Sequence, residues 1–143
     1  MTLRRAAPSD HPVEVGTRTE AIILAALVAR GYRVLLPFGH NRRYDLVLEI
    51  DGAFLRVQCK TGRVRDGCVV FRAQSIRSNT RQTVVRDYKE DVDLIVVHCP
   101  DTHATYAVPI EDATRTQGTL RISPTANGQA KGVRWARDYE LPA

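Results

Sequence analysis

No stretch of the chain approaches the roughly 18 uninterrupted apolar residues that a membrane span needs. The N-terminal residues also lack the apolar run of a secretory signal. A cytoplasmic protein with no membrane segment is therefore expected. Cysteine is sparse: Cys59, Cys68 and Cys99 are odd in number and lack CxxC spacing. That argues against a disulfide framework and against a thiolate zinc site, and leaves reduced thiols as the expectation. There is also no internal repeat, no low-complexity tract and no linker that would divide the 143 residues. Such a length suits one domain with a single core of ordinary size.

Acidic charge is in deficit, with a formal net charge of +5 and a sequence pI near 9.4. A basic balance fits a protein that meets a polyanion, although it does not single one out. The distribution is more informative, because arginine outweighs lysine and gathers between elements. Arg42 and Arg43, Arg63 and Arg65, then Arg72, Arg77, Arg81 and Arg86 form these groups. A guanidinium fork can bond two phosphate oxygens at once, so Arg42, Arg43, Arg63, Arg72, Arg77 and Arg81 are candidate DNA contacts. Ser75 is a further candidate. The plain alternative is a solvated basic surface.

Residues 1–14 contain prolines, Arg4 and Arg5 and no periodic pattern, and read as a flexible basic arm. Thr17, Arg18, Thr19 and Glu20 have the form of a capping box, opening a helix through the Ala, Ile and Leu stretch to Arg30 and ending at Gly31. Tyr32 to Leu36 reads as a strand broken by Pro37. Tyr44 to Ile50 and Ala53 to Lys60 both alternate around Asp51-Gly52, a favoured two-residue turn of type I′. Cys68 to Arg72 is expected as a third strand of the same meander. The polar segment from Ser75 to Asp87 is open between a helix and a lid. Asp93 to Cys99 is a continuous apolar run suited to a buried strand, with Thr105 to Ile110 as its hairpin partner, so a mixed sheet is expected. A short helix at 111–116, a strand at 120–123 and a last helical stretch through Trp135 and Tyr139 complete the reading.

The Asp51-Gly52 turn sets the register of the hairpin, so that Leu48 opposes Leu55 and Asp45 opposes Gln58. One face then collects Tyr44, Leu46, Leu48, Ile50, Ala53, Leu55, Val57 and Cys59. The other collects Asp45, Val47, Glu49, Phe54, Arg56, Gln58 and Lys60. The second face brings a carboxylate, an amide and an ammonium together at the open end of the hairpin, within about 5–8 Å between Cβ atoms. Oxygen donors of this kind suit Mg²⁺. Asp45 supplies the anionic oxygen, Gln58 a neutral one, and the Cys59 backbone carbonyl is available as a third. Lys60 is placed to orient an attacking water and to stabilise charge on a phosphate. A bare D…QxK spacing also occurs on polar strand faces with an incidental ion pair.

At these residues the chain resembles the PD-(D/E)xK nuclease superfamily, and within it the group I intron-associated homing endonucleases. The resemblance rests on the helix with Glu20, on Arg43-Tyr44-Asp45-Leu46-Val47 and on Val57-Gln58-Cys59-Lys60-Thr61-Gly62. Asp91-Val92-Asp93, Tyr106 to Ile110 and Asn127-Gly128-Gln129 extend it. It implies a restriction-endonuclease-like α/β fold, a mixed sheet with flanking helices, formed by a single nuclease domain at 15–143. It also implies a divalent metal, Mg²⁺ with Mn²⁺ as substitute, and catalytic roles for Glu20, Asp45, Gln58 and Lys60. Glutamine at 58 departs from the acidic residue usual in the superfamily and removes a negative charge from the metal site. Glu20 would correspond to the helix carboxylate that reaches towards the metal through water. As the end of a capping box it can equally bond the backbone at Thr17.

The expected function is a metal-dependent endonuclease on double-stranded DNA, of homing type, acting as a dimer or tetramer because one site per chain must be paired to cut both strands. A Holliday-junction resolvase acting on branched DNA is the alternative within enzymes. A DNA-binding module of the same fold that has lost cleavage is the alternative outside them. His98, Cys99 and His103 do not make a zinc site, since adjacent strand residues point to opposite faces. Asp91 and Asp93 read as turn residues, and Trp135 and Tyr139 as one face of a helix, with Arg134 and Arg137 beside them.

Overall fold

The computed structural model describes residues 1–78, 81–113 and 116–143, with the side chains of 75–78 outside the description. Helix α1 runs from Pro12 to Ala29. It begins earlier than the capping-box pattern suggests. His11 is the N-cap, its Nδ1 accepting from the Val13 N–H at 3.3 Å, and Pro12 takes the first helical position, where its missing N–H costs nothing. Glu20 therefore lies inside the helix with no capping duty, Thr17 donates its hydroxyl to Val13 O, and residues 12–14, expected in the arm, are helical. The helix stops as expected at Gly31, whose φ of 84° a side chain would disfavour. Thr19, Ile23 and Leu27 are buried along one stripe, and each apolar member contributes about 1.5–3 kcal/mol.

A five-stranded sheet lies under this helix in the order β1 (Arg33–Leu35), β2 (Leu46–Ile50), β3 (Ala53–Thr61), β8 (Leu94–Cys99), β9 (Ala104–Pro109). The β2–β3 register is the one set by Asp51-Gly52, with Leu48 opposite Leu55 and Ile50 opposite Ala53. Both turn residues have positive φ, as a type I′ turn requires. β3 pairs with β8 in parallel and all other neighbours are antiparallel, so the sheet is mixed. Ile23 and Leu27 pack on Leu46, Leu48, Val57 and Val96.

The opposite face of the sheet is covered by strands. β4 (Arg63–Arg65), β5 (Cys68–Arg72) and β10 (Gln117–Arg121) form a second sheet in the order β10-β5-β4. Val69, Phe71 and Leu120 of this sheet meet Ile95, Val97 and Val108. The third strand thus belongs to a separate sheet, with Gly62 the single residue between β3 and β4. A Cβ there would stand 2.8 Å from Val69 and 2.9 Å from Val97, so only glycine lets the sheets approach this closely. β8 is apolar at every position but His98 because both its faces are covered. α1 is accordingly the one α-helix among the described residues, where flanking helices were expected.

Among the described residues of the 75–87 segment, β6 (Gln74–Ser78) and β7 (Thr83–Asp87) form an antiparallel pair where a helix was one of the two expectations. A 3-10 turn at Ile110–Asp112 stands where a short helix at 111–116 was expected, residues 114 and 115 lying outside the described ones, and another at Ala136–Asp138 stands in the expected helical stretch through Trp135 and Tyr139. Trp135 instead bridges to Arg121 and carries the Arg137 guanidinium 4.6 Å from its ring centre. Tyr139 donates to Asp112 at 2.9 Å. Asp93 does more than mark a turn. It accepts from the Arg56 backbone at 2.8 Å and from two of its guanidinium nitrogens, while its own N–H donates to Arg56 O. This clamp joins β3 to the start of β8, and the Arg56 guanidinium holds the Asp93 carboxyl below its ordinary range.

Gly118 gives the sharpest packing test. A Cβ at this position would fall into the buried Phe71 ring. Gly118→Ala is expected to cost about 1–3 kcal/mol or more, read as a lower denaturant midpoint with an unchanged slope.

Candidate active site

Asp45 sits just before β2, and its backbone N–H donates to the O of Val57 at 2.8 Å, the residue already opposite Leu46, so the ladder shifts by one residue at the strand end. Its Oδ2 accepts from the Gln58 Nε2 amide at 2.8 Å and from the Cys59 backbone N–H at 2.8 Å. Asp45 and Gln58 are thus brought together, by a side-chain hydrogen bond and not by direct pairing in the ladder. Tyr44 departs from the expected alternation. It precedes the regular strand and packs with the second core, against the sheet face away from α1.

Glu20 reaches this locus from α1, which is tied to β3 by a 2.6 Å hydrogen bond between the Thr19 and Thr61 hydroxyls. Glu20 and Asp45 line one cleft of about 410 Å³ together with Leu36, His40, Asn41 and Arg42. Burial raises the Glu20 carboxyl above its ordinary range, and the Asp45 charge adds to the rise. Burial also raises Asp45, against the Cys59 amide and the Lys60 charge, which pull it down. Lys60 is close enough to act on Asp45, and its Nζ donates to the Tyr88 hydroxyl at 3.2 Å. The structure therefore brings Glu20, Asp45, Gln58 and Lys60 to one place.

The Cys59 thiol is held un-ionised by burial first and by the Asp45 and Glu20 charges second, and soft sulfur is a poor partner for a hard cation. What remains is oxygen: two carboxylates, the Gln58 amide and the Cys59 carbonyl. Such a hard set fits a Mg²⁺ ion that keeps several of its waters. Gln58 presents its N–H to Asp45, so service as an oxygen ligand requires the amide to turn over. Among the described residues no group of three or more His, Cys, Asp or Glu is arranged to hold a metal. His98 contacts Thr105 through Nδ1 at 3.2 Å, and burial, with His103, lowers its proton affinity.

The candidate DNA-contacting arginines divide. Arg63 and Arg72, with Arg65, Gln74 and Gln117, line a groove of about 380 Å³ that begins at Thr61, next to Lys60. Arg42 lines the carboxylate cleft. Arg43 is turned inward, with Nε 3.0 Å from Asp91 and a second nitrogen 3.0 Å from Asp87 O. Arg81 is exposed before β7, and the side chains of Ser75 and Arg77 lie outside the described residues. Sequence reasoning missed Arg65, Gln74 and Gln117 as groove residues and Tyr88 as a partner of Lys60. Tyr88 is separated from Lys60 by 28 positions, with no local pattern to link them.

Residues 11–142 match the family described as PD-(D/E)XK endonuclease. Among solved structures, a bacterial homing endonuclease, I-Ssp6803I, is similar in fold, with a TM-score of 0.71 over 91% of this chain and 89% of that one, at 21% identity. No curated protein matches the chain.

Proposed function

The chain belongs to the PD-(D/E)XK endonuclease family, and from that premise we propose that it hydrolyses phosphodiester bonds of double-stranded DNA in a Mg²⁺-dependent, homing-type reaction. The observation that carries this reading is the hydrogen-bonded Asp45–Gln58 pair with Lys60 and Glu20 around it. Asp45, with the Gln58 amide oxygen and the Cys59 carbonyl, would hold the ion, and Glu20 would face it from α1. Mn²⁺ would substitute. When bound, the ion supplies Lewis-acid charge at the scissile phosphate.

The protein's own groups do the rest. Lys60 places a compact cation beside the phosphate, where it orients the attacking water and offsets the charge that builds up in transit. Arg63, Arg65 and Arg72 present guanidinium forks along the adjoining groove, fixing the DNA backbone relative to Lys60. Arg42 would meet backbone on the cleft side. One chain carries one such site, so a cut through both strands calls for a homo-oligomer that presents two copies.

Substrate choice separates the homing-type reading from a junction resolvase. Purified protein is given linear duplex, supercoiled plasmid and a four-way junction in competition, with Mg²⁺. Cutting of duplex at defined positions is expected. Cleavage confined to the junction, indifferent to sequence, would replace the homing reading with the resolvase. Gel-shifted but intact DNA in every arm would make Gln58 the mark of a module that binds without cutting.

A further inference from the structure

The geometry points to Tyr88 as a positioning residue that holds the Lys60 ammonium at the scissile phosphate, an inference that rests on the nuclease reading of the site. Lys60 has a flexible four-carbon stem, whose rotamer freedom must be lost to fix its charge. Tyr88 supplies two restraints on it. Its hydroxyl accepts from Lys60 Nζ at 3.2 Å, and its ring centre lies 4.8 Å from the same nitrogen. Only 5% of Tyr88 is exposed, so the ring is itself fixed by packing.

The ring is held by a second layer of contacts. The Arg43 guanidinium lies 4.7 Å from the Tyr88 ring centre. Two cations sharing one ring would repel, but Arg43 is paired with Asp91 at 3.0 Å. Asp91 also binds Arg86 at 2.9 Å, and the Asp91 and Val92 amides both donate to Tyr88 O. Asp91 thus offsets the Arg43 charge and closes the turn that carries Tyr88, leaving Lys60 as the cation turned to the site. Arg43 and Asp91 act here on Tyr88 and through it on the lysine.

The test uses Tyr88→Phe, which keeps the ring and removes the hydroxyl, and Tyr88→Leu, which removes both. Lys60, Lys89 and Lys131 are the lysines of the chain, so with ¹³C-labelled lysine the ε-methylene signals are readily assigned by substitution. In the wild type the Lys60 signal is expected to be ring-shifted and to show cross-relaxation with the Tyr88 ring, without metal or DNA. Tyr88→Phe should keep the ring contact and lower the single-turnover cleavage rate by about 3- to 10-fold. Tyr88→Leu should move the Lys60 signal towards those of free lysine side chains and lower the rate by about 100-fold. DNA affinity should hold in both, and thermal unfolding checks that each variant is folded. A Lys60 signal unmoved in Tyr88→Leu overturns the inference whatever the rate does, as does a moved signal with an unchanged rate. A wild type that cuts no DNA while the signals do move sinks the nuclease reading instead, and reduces the contact to packing.

Discussion

Lys60→Ala is expected to lower single-turnover DNA cleavage by about 100- to 1,000-fold while leaving DNA affinity within a few-fold. The two effects separate because the lysine and the phosphate-gripping arginines sit on different parts of the surface. Lys60 lies with Asp45 and Tyr88, whereas Arg63, Arg65 and Arg72 line the adjoining groove. Affinity that collapses with the lysine would make Lys60 a binding residue only. Asp45→Asn is the matched variant for the carboxylate, since Asn can still accept from the Cys59 amide. Asp45→Ala strands that donor and confounds activity with stability, at about 1–3 kcal/mol.

Gln58→Glu should weaken the metal-free protein and strengthen its response to metal. The substitution removes the Nε2 donor that Asp45 accepts and adds a third negative charge beside Asp45 and Glu20. Both of those already titrate above their ordinary range. A loss of about 1–3 kcal/mol in EDTA is expected from the lost bond and the like charges. Divalent metal at saturation should recover more stability than it gives the wild type, since stabilisation grows with affinity for the folded state. Equal metal response in both proteins would place the ion elsewhere. The pH dependence has a definite sign. A carboxyl raised in the folded state contributes stability that is full below its unfolded value and is lost as pH rises through the folded one. The metal-free wild type should therefore become more stable on mild acidification from neutral pH, as far as Glu20 and Asp45 are concerned.

Much of the site was legible because a two-residue turn fixes a whole hairpin. Asp51-Gly52 demands positive φ at both residues, and the register it sets runs as far as Leu46 opposite Val57, which leaves the Asp45 side chain within reach of Gln58. The buried β8 was equally plain, since a strand covered on both faces is apolar along its length, here at every position but His98. The helix start was misread because two signals competed. Thr17 to Glu20 looks like a capping box, but His11 and Pro12 begin the helix earlier, and Glu20 is thereby released to face Asp45. The second sheet was hidden by Gly62, whose role depends on Val69 and Val97 coming close from distant strands. Tyr88 was invisible for a related reason: parallel pairing of β3 with β8 brings the 88–93 turn beside Lys60, and nothing local in either segment encodes that meeting. The β6–β7 pair lacked the apolar periodicity that marks a strand, since β7 is exposed along most of its length.

The most direct test of the metal-dependent site is cleavage of plasmid DNA by the purified wild type, with Mg²⁺ titrated against EDTA and the new ends mapped. Cutting that stops in EDTA, returns with added Mg²⁺ or Mn²⁺ and is lost in Lys60→Ala is the expected result. Cutting that persists undiminished in EDTA, or that survives in Lys60→Ala at the wild-type rate, would contradict it.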